Sequence, residues 1–71
     1  MKISDFNRRH IGKAIQLQET RFDTNIDCII TEVETREIVA MYYMQENDDV
    51  GYKVITWEDL ENGDYKLKLL N

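Results

Sequence analysis

The residue types best suited to chemistry lie near the carboxyl end of the chain, where a tryptophan is followed by acidic side chains. Trp57 stands directly before Glu58 and Asp59, and Glu61 follows two positions later. An aromatic face and nearby carboxylates both attract positive charge, so this combination predicts a site for a cationic ligand. With one aromatic side chain added from a neighbouring strand, the predicted partner-binding residues are Tyr42, Trp57, Glu58, Asp59 and Glu61.

Trp57 also fits a place in the hydrophobic core. In a strand that runs from Tyr52 to Trp57, the alternation of side chains puts Ile55 and Trp57 on the same side. The apolar weight of that side favours it as the inward one, with Leu60 packed beneath. A core position is therefore the first expectation for Trp57, and a surface position is the alternative.

Catalysis is poorly supported by the available side chains. His10 is the only histidine and Cys28 the only cysteine, and a strand and a loop separate them in the chain. We expect Cys28 to pack as a small hydrophobic residue and His10 to end a helix as a cation. The three glycines are isolated, so they form no phosphate-binding loop. The sequence predicts a protein that is not an enzyme and uses no cofactor or metal ion.

The length and composition predict one globular domain over residues 1–71. Hydrophobic residues make up 42% of the chain and charged residues 32%, too apolar for intrinsic disorder and too interrupted for a membrane span. We expect a cytoplasmic protein, since the first residues resemble no secretory signal and a lone cysteine cannot form an internal disulfide. A chain this small builds its core from its own packing or from a partner subunit, which leaves a homodimer open.

Charge is unevenly distributed between the amino-terminal arm and the rest of the chain. Residues 1–13 hold four basic side chains against one acidic, whereas residues 14–71 hold five basic against thirteen acidic. The net charge of −5 disfavours general binding to nucleic acid, because an acidic body repels phosphates. Only the basic arm, with Arg8, Arg9 and Lys13, reverses that charge locally.

The first third of the chain predicts a short helix, a strand and a loop. Ser4 is the predicted N-cap of a helix from Asp5 to His10, and Gly12 ends it. Alternating apolar and polar residues predict a strand over residues 14–19. Residues 20–25 lack periodicity and are expected to form a loop with Phe22 tucked under it.

The middle of the chain, from Ile26 to Met44, has two interpretations. With a period of two it forms a hairpin of strands 28–33 and 38–43 around a charged tip at residues 34–37. With a period of 3.6 its apolar residues form one stripe of a helix over residues 26–44 on a small antiparallel sheet. The hairpin is preferred, because the β-branched and aromatic residues favour strands and the charged tip falls between two apolar runs.

The carboxyl-terminal third predicts two further strands. Residues 45–49 form a polar loop, and residues 52–57 form the next strand. Residues 58–60 make a single helical turn, residues 61–64 a tight reversal, and the alternation over residues 65–69 a last strand. The whole chain therefore reads as five short strands with a helical amino-terminal arm.

This order of elements resembles an SH3-like small barrel of the Tudor and KOW type over residues 12–69. The resemblance depends on residues 12–15 opening the first strand, on the runs 29–33 and 37–42, and on residues 57–60 before the last strand. It implies a mainly β fold, a five-stranded small barrel at residues 12–70 behind a basic helical arm at residues 1–11. KOW nucleic-acid binding is not carried over, because Asp27 and Cys28 occupy the region where a KOW-like segment has glycine.

The leading functional hypothesis is a small acidic interaction module that binds a basic surface of a protein partner and no small-molecule substrate. Its size and acidity are similar to those of accessory proteins encoded by phages and mobile elements. One alternative is an acidic mimic of nucleic acid that inhibits a DNA-binding enzyme. A second alternative is nucleic-acid binding through the basic arm at Arg8, Arg9 and Lys13.

Overall fold

A computed structural model describes residues 1–70, and Asn71, the last residue of the predicted domain, lies outside the described residues. Five strands and one short helix make up most of the chain. The strands are β1 (Ala14–Glu19), β2 (Thr24–Val33), β3 (Glu37–Met44), β4 (Asp49–Thr56) and β5 (Tyr65–Leu69), and the helix is α1 (Trp57–Glu61). Two 3₁₀ turns, Ile3–Asp5 and Arg8–His10, precede β1.

All five strands belong to one antiparallel sheet in the order β4-β3-β2-β1-β5. The prediction of a mainly β fold with five strands is confirmed. Closure into a barrel is not confirmed, because β4 and β5 are the two edges and no pairing joins them within residues 1–70.

The middle segment is a hairpin, as its alternation predicts, and the alternative helix over residues 26–44 is wrong. β2 and β3 pair with Ile29 opposite Met41 and Ile30 opposite Ala40. The register shifts between Ile30 and Glu32, and the hydroxyl of Thr31 at this bulge donates to the carbonyl of Val39 at 3.2 Å. A bulge bends its strand and increases the local twist, which helps the sheet curl around its core.

The core lies on one side of the sheet, called the inner face, and it is filled by alternate residues of the strands. Five isoleucine and leucine side chains on four strands, those of Ile15, Leu17, Ile30, Ile38 and Ile55, are fully buried. The remaining buried residues are Ile3, Phe6, Cys28, Ala40 and Leu67. Ile3 and Phe6 come from the amino-terminal arm, so the arm packs against the sheet and covers part of its core.

The amino-terminal arm differs from the single helix predicted over Asp5 to His10. The backbone of Phe6 is extended, with φ −100° and ψ 145°, and separates the two 3₁₀ turns. Ser4 does not cap a helix there; the first turn is held by Asp5, whose Oδ2 accepts from the Lys2 backbone N–H at 2.8 Å. Burial of Phe6 explains the break, because an extended residue directs this ring into the core.

The expectation that Phe22 tucks under a loop is wrong, since its side chain is 72% exposed. β1 and β2 stay paired as far as Glu19 opposite Thr24, which leaves only residues 20–23 for the connection. Asp23 turns the chain with a φ of 50°. A four-residue turn is too short to fold back over the core, so the Phe22 ring projects outward.

β4 begins earlier and ends one residue sooner than the predicted strand over residues 52–57. It starts at Asp49 and stops at Thr56, because Trp57 is the first residue of α1. Ile55 is fully buried as expected, but Trp57 is 42% exposed and is not the core residue that alternation predicts. The change from strand to helix at Thr56 removes Trp57 from the two-residue period.

Candidate functional site

A groove of about 410 Å³ lies beside α1 and contains the exposed Trp57 side chain. One wall comes from the amino-terminal segment, the other from α1 and the tip of the β2–β3 hairpin. We call this the Trp57 groove, and its lining is Met1, Lys2, Ile3, Ser4, Thr35, Trp57, Leu60 and Glu61. Ile3 and Leu60 also contact the core, so the floor of the groove is anchored to the sheet.

Trp57 is positioned by backbone contacts on both sides. Its N–H donates to the carbonyl of Arg36 at 2.8 Å, which ties the start of α1 to the β2–β3 tip. The preceding residue, Thr56, caps α1 through its hydroxyl, which accepts from the Asp59 N–H at 3.2 Å. These hydrogen bonds fix the backbone on both sides of an indole that lies at the surface, where Trp57 is 42% exposed.

The three acidic residues of α1 have different roles. The Asp59 carboxylate accepts from the Thr56 backbone N–H at 3.0 Å and completes a capping box. Glu58 and Glu61 are both exposed, and Glu61 lines the Trp57 groove. Two carboxylates, one of them beside the indole, are thus free of helix capping and available to a cation, whereas Asp59 is occupied by the helix.

Tyr42 is placed far from the groove. Its partner across the β3–β4 pair is Gly51, and Trp57 follows Gly51 by six residues. At a strand rise of about 3.3 Å per residue, the two aromatic residues are separated by about 20 Å. Tyr42 is half-buried and packs against the core, so the structure brings together Trp57 and Glu61 but not Tyr42.

A second groove, of about 180 Å³, lies where the β1–β2 turn meets the start of β5. The exposed Phe22 ring lines it together with Arg21, Asp59 and Tyr65. Arg21 Nε lies 3.7 Å from Asp64 Oδ1, and its guanidinium is mostly exposed. Sequence reasoning missed this surface, and the signal that could have found it is the isolated Phe22 in an otherwise polar turn.

The basic arm presents its charges to solvent. Arg8, Arg9 and Lys13 are all exposed. Asn7 caps their turn, because its Oδ1 accepts from the Arg9 N–H at 2.8 Å. The ring of His10 packs edge to face on Phe6, with ring centroids 5.2 Å apart, and its Nδ1 accepts from the Asn7 N–H at 3.0 Å. His10 therefore has a structural role at the end of the second 3₁₀ turn.

Cys28 packs as a small hydrophobic residue, as predicted, and is 3% exposed. Its burial, together with the negative charge of Asp27, raises the pKa of the thiol from an ordinary 9.0 to about 11. A protonated, inaccessible thiol is a poor nucleophile. Among residues 1–70, no group of three or more histidine, cysteine, aspartate or glutamate side chains is arranged to hold a metal ion.

No protein-family model matches the chain, and no curated protein matches it. In the described part of the chain, no helix has the length and apolar character needed to cross a membrane. The fold and the geometry of the grooves are therefore the basis for any proposal about function.

Proposed function

We propose that this protein is a non-enzymatic interaction module, an accessory or regulatory protein that binds a basic surface of a protein partner at the Trp57 groove. The observation that carries the proposal is the pairing of an exposed indole with the carboxylate of Glu61 in one groove. A Lys or Arg side chain placed there meets an aromatic face and a negative charge together. These contacts are attractive by cation–π and charge-assisted hydrogen bonding.

The charge of the whole chain supports the same kind of partner. Residues 14–71 carry thirteen acidic against five basic side chains, and Glu58 adds an exposed carboxylate on the same helix as Trp57. A negative body attracts a basic surface over about a Debye length, roughly 10 Å at 0.1 M salt. Lys2 lines the groove and opposes this attraction locally, so the ligand's cation is expected to bind on the Glu61 side.

The proposal also covers the cellular location and the oligomeric state of the protein. It places the protein in the cytoplasm, with no small-molecule substrate, and includes self-association as a homodimer. The proposed role is that of a small acidic protein that regulates a larger partner by binding to it, as accessory proteins of phages and mobile elements do.

Tryptophan fluorescence tests the proposal directly, because Trp57 is the only tryptophan in the chain. Peptides of about ten residues rich in Lys and Arg are titrated into the protein, with acidic peptides of equal length as controls. Binding in the groove changes the Trp57 emission and weakens as salt is added. We expect the double variant Glu58→Gln with Glu61→Gln to lower the affinity by about tenfold, or about 1.4 kcal/mol.

The matched control removes two carboxylates from the opposite end of β4. Glu46→Gln with Asp49→Asn makes the same change in net charge, and both residues are exposed, Glu46 in the β3–β4 turn and Asp49 at the start of β4. Equal loss of affinity in both double variants would show that only total charge matters and would refute the groove as the site. Binding that does not alter Trp57 emission would refute it as well.

The exposed basic arm supports a second candidate function, binding to nucleic acid through Arg8, Arg9 and Lys13. An electrophoretic mobility shift at low salt that disappears in Arg8→Ala with Arg9→Ala would favour it. The acidic-mimic alternative requires that the protein displace DNA from a captured partner, and a competition assay separates it from the leading proposal.

A further inference from the structure

The side of the sheet opposite the core, called the outer face, carries an uncharged apolar stripe along β3 and β4. Its residues form three cross-strand pairs, Val39 with Val54, Met41 with Tyr52, and Tyr43 with Val50. Ile29 of β2, opposite Met41, continues the stripe by one strand. We call these seven residues the outer stripe.

The outer stripe is unusually open to solvent for so many large apolar side chains. Tyr52 is 61% exposed, Tyr43 59% and Val54 51%, and Ile29 and Val50 are each exposed by more than 40%. A fully exposed aromatic side chain has a surface of roughly 150–250 Å². When such areas are scaled by the exposed fractions given above, the accessible surface of the stripe is on the order of 500 Å². That is close to the largest patch of a typical monomer and more than half of the roughly 800 Å² that one partner contributes to a standard interface.

The charges of the outer face lie outside the stripe. Lys66 and Lys68 are on β5, which β2 and β1 separate from β3. The acidic side chains lie at the border of the stripe: Asp27 and Glu32 on β2, Glu37 at the start of β3, and Asp48 in the β3–β4 turn. If the stripe of a second copy packs over β3 and β4 around a two-fold axis parallel to these strands, the acidic residues remain at the solvated rim. A basic ligand, in contrast, finds no carboxylate on the six residues of the three cross-strand pairs, and the nearest one, that of Asp48, already accepts from the Tyr43 hydroxyl.

Pairing of two β4 edges is disfavoured by Lys53. This residue lies in the middle of the edge strand and directs its ammonium inward to Glu19, at 3.6 Å. Inward-pointing charge on an edge strand is a known barrier to edge-to-edge association. Contact through the face of the sheet, as between the two sheets of a β-sandwich, avoids that barrier.

We infer that the outer stripe is the interface of a homodimer in which the stripes of two copies pack face to face across a two-fold axis. This inference gives a surface to the self-association included in the proposed function and does not depend on the basic ligand. The Trp57 groove contains Ile3 and Leu60, which pack with the inner-face core, so the two surfaces are separate.

The mass of the full chain in solution tests the inference. Sedimentation equilibrium and light scattering are measured over protein concentrations up to about 500 µM, a range that detects dissociation constants well above micromolar. We expect twice the chain mass of 8.5 kDa. The dimer should persist or strengthen in high salt, since salt screens the repulsion between two acidic chains, whereas groove binding weakens in salt.

Two substitutions place the interface. Tyr52→Lys and Val54→Lys each bring a charge into the predicted contact, and we expect each to raise the dimer dissociation constant by at least a hundredfold. Gln18→Lys is the control, because Gln18 lies on β1, opposite Lys66 and outside the stripe. Circular dichroism verifies that each variant is folded, and Tyr52→Asn replaces Tyr52→Lys should the latter unfold.

A wild-type chain that stays monomeric throughout this range would overturn the inference. A dimer that survives both Tyr52→Lys and Val54→Lys would overturn it too, by placing the contact elsewhere. Loss of the dimer with retained peptide-dependent Trp57 fluorescence would support the stripe and leave the proposed groove intact. Retained dimerisation without any peptide binding would instead refute only the groove.

Discussion

The ammonium group of Lys53 in β4 lies 3.6 Å from Oε2 of Glu19 in β1, although β3 and β2 separate these strands in the sheet. Such a contact requires the sheet to curl until its two ends approach each other over the inner face. Both side chains are largely shielded, with exposures of 26% and 13%. The ion pair therefore joins the edge strand β4 to β1, the strand beside the other edge, in a sheet whose edges, within residues 1–70, are not paired.

Removal of one partner of this ion pair is expected to destabilise the fold. In Glu19→Gln the shielded ammonium of Lys53 loses its counter-charge, which should cost about 1–3 kcal/mol of unfolding free energy. Urea denaturation at neutral pH measures the loss. The double variant Glu19→Gln with Lys53→Met should recover part of it, because no unpaired charge remains near the core.

The exposed ion pair between Arg21 and Asp64 is the control for that prediction. Its guanidinium is 75% exposed and its carboxylate 36%, so Arg21→Met should change stability by less than about 0.5 kcal/mol. Similar losses in Arg21→Met and Glu19→Gln would contradict the view that shielding gives the Lys53–Glu19 pair its importance.

We predict that position 51 needs glycine because the ring of Tyr42 leaves no space for a Cβ there. A Cβ added at Gly51 would lie 2.7 Å from Tyr42 Cζ and 2.8 Å from its hydroxyl oxygen, so the ring must move. Gly51→Ala should cost about 1–2 kcal/mol by overpacking. In a Tyr42→Leu background the clash is absent, and the same substitution should be neutral or stabilising, because alanine loses less backbone entropy than glycine.

Gly63→Ala provides the comparison for Gly51. Its φ is +77° and nothing lies within 4 Å of an added Cβ, so its cost of about 1 kcal/mol arises from the backbone alone. That cost should be the same with Tyr42 or with Leu at position 42. If Gly51→Ala also costs the same in both backgrounds, contact with Tyr42 is not the reason for the glycine.

Much of the sheet could be predicted from the sequence because period-two alternation reports burial on one face. Leu17 and Ile15 alternate with polar residues and are fully buried. The apolar run at residues 38–43 lacks that alternation, since both sides of β3 carry apolar residues. A run of this kind is the signal of a strand covered on both faces, and it could have indicated the outer stripe.

The candidate site was less predictable, because the position of Trp57 depends on where the two-residue alternation of β4 ends and α1 begins. Trp57 continues the alternation of β4 in the sequence, but the hydrogen bonds between Thr56 and Asp59 begin a helix one residue earlier than predicted. The capping signal Thr-x-x-Asp at residues 56–59 could have predicted this helix start, and with it a surface position for the indole. Separation of Tyr42 from Trp57 needs the register of β3 and β4, which composition does not supply.

The buried thiol predicts a loss of stability at alkaline pH. The pKa of Cys28 is raised by burial from an ordinary 9.0 to about 11, so the folded chain holds this proton between pH 9 and 11 while the unfolded chain releases it. Unfolding free energy therefore falls as pH rises through this interval, by about 2 kcal/mol from this group. The stabilisation is fully present below pH 9.

Comparison with Cys28→Ala isolates that effect from other groups that titrate in the same range. The variant should be less stable at neutral pH by about 1 kcal/mol, for the loss of a small buried side chain, but its stability should fall less steeply above pH 9. Urea unfolding at several pH values measures both slopes. Parallel slopes for the two proteins would show that Cys28 titrates normally.

The different roles of the α1 carboxylates, helix capping for Asp59 and ligand binding for Glu61, give the most discriminating test of the site. Asp59→Ala removes the capping acceptor for the Thr56 N–H and should lower stability by about 1 kcal/mol, with little effect on peptide affinity measured where the protein is fully folded. Glu61→Ala should do the reverse, because its exposed carboxylate lines the groove and caps nothing. Thr56→Ala should match Asp59→Ala in stability, since both hydrogen bonds belong to one capping box. Chemical denaturation measures the loss of stability, and Trp57 fluorescence titration of the same samples measures the loss of peptide affinity. A larger loss of affinity in Asp59→Ala than in Glu61→Ala would mean that the ligand binds on the Asp59 side of the helix, towards Phe22.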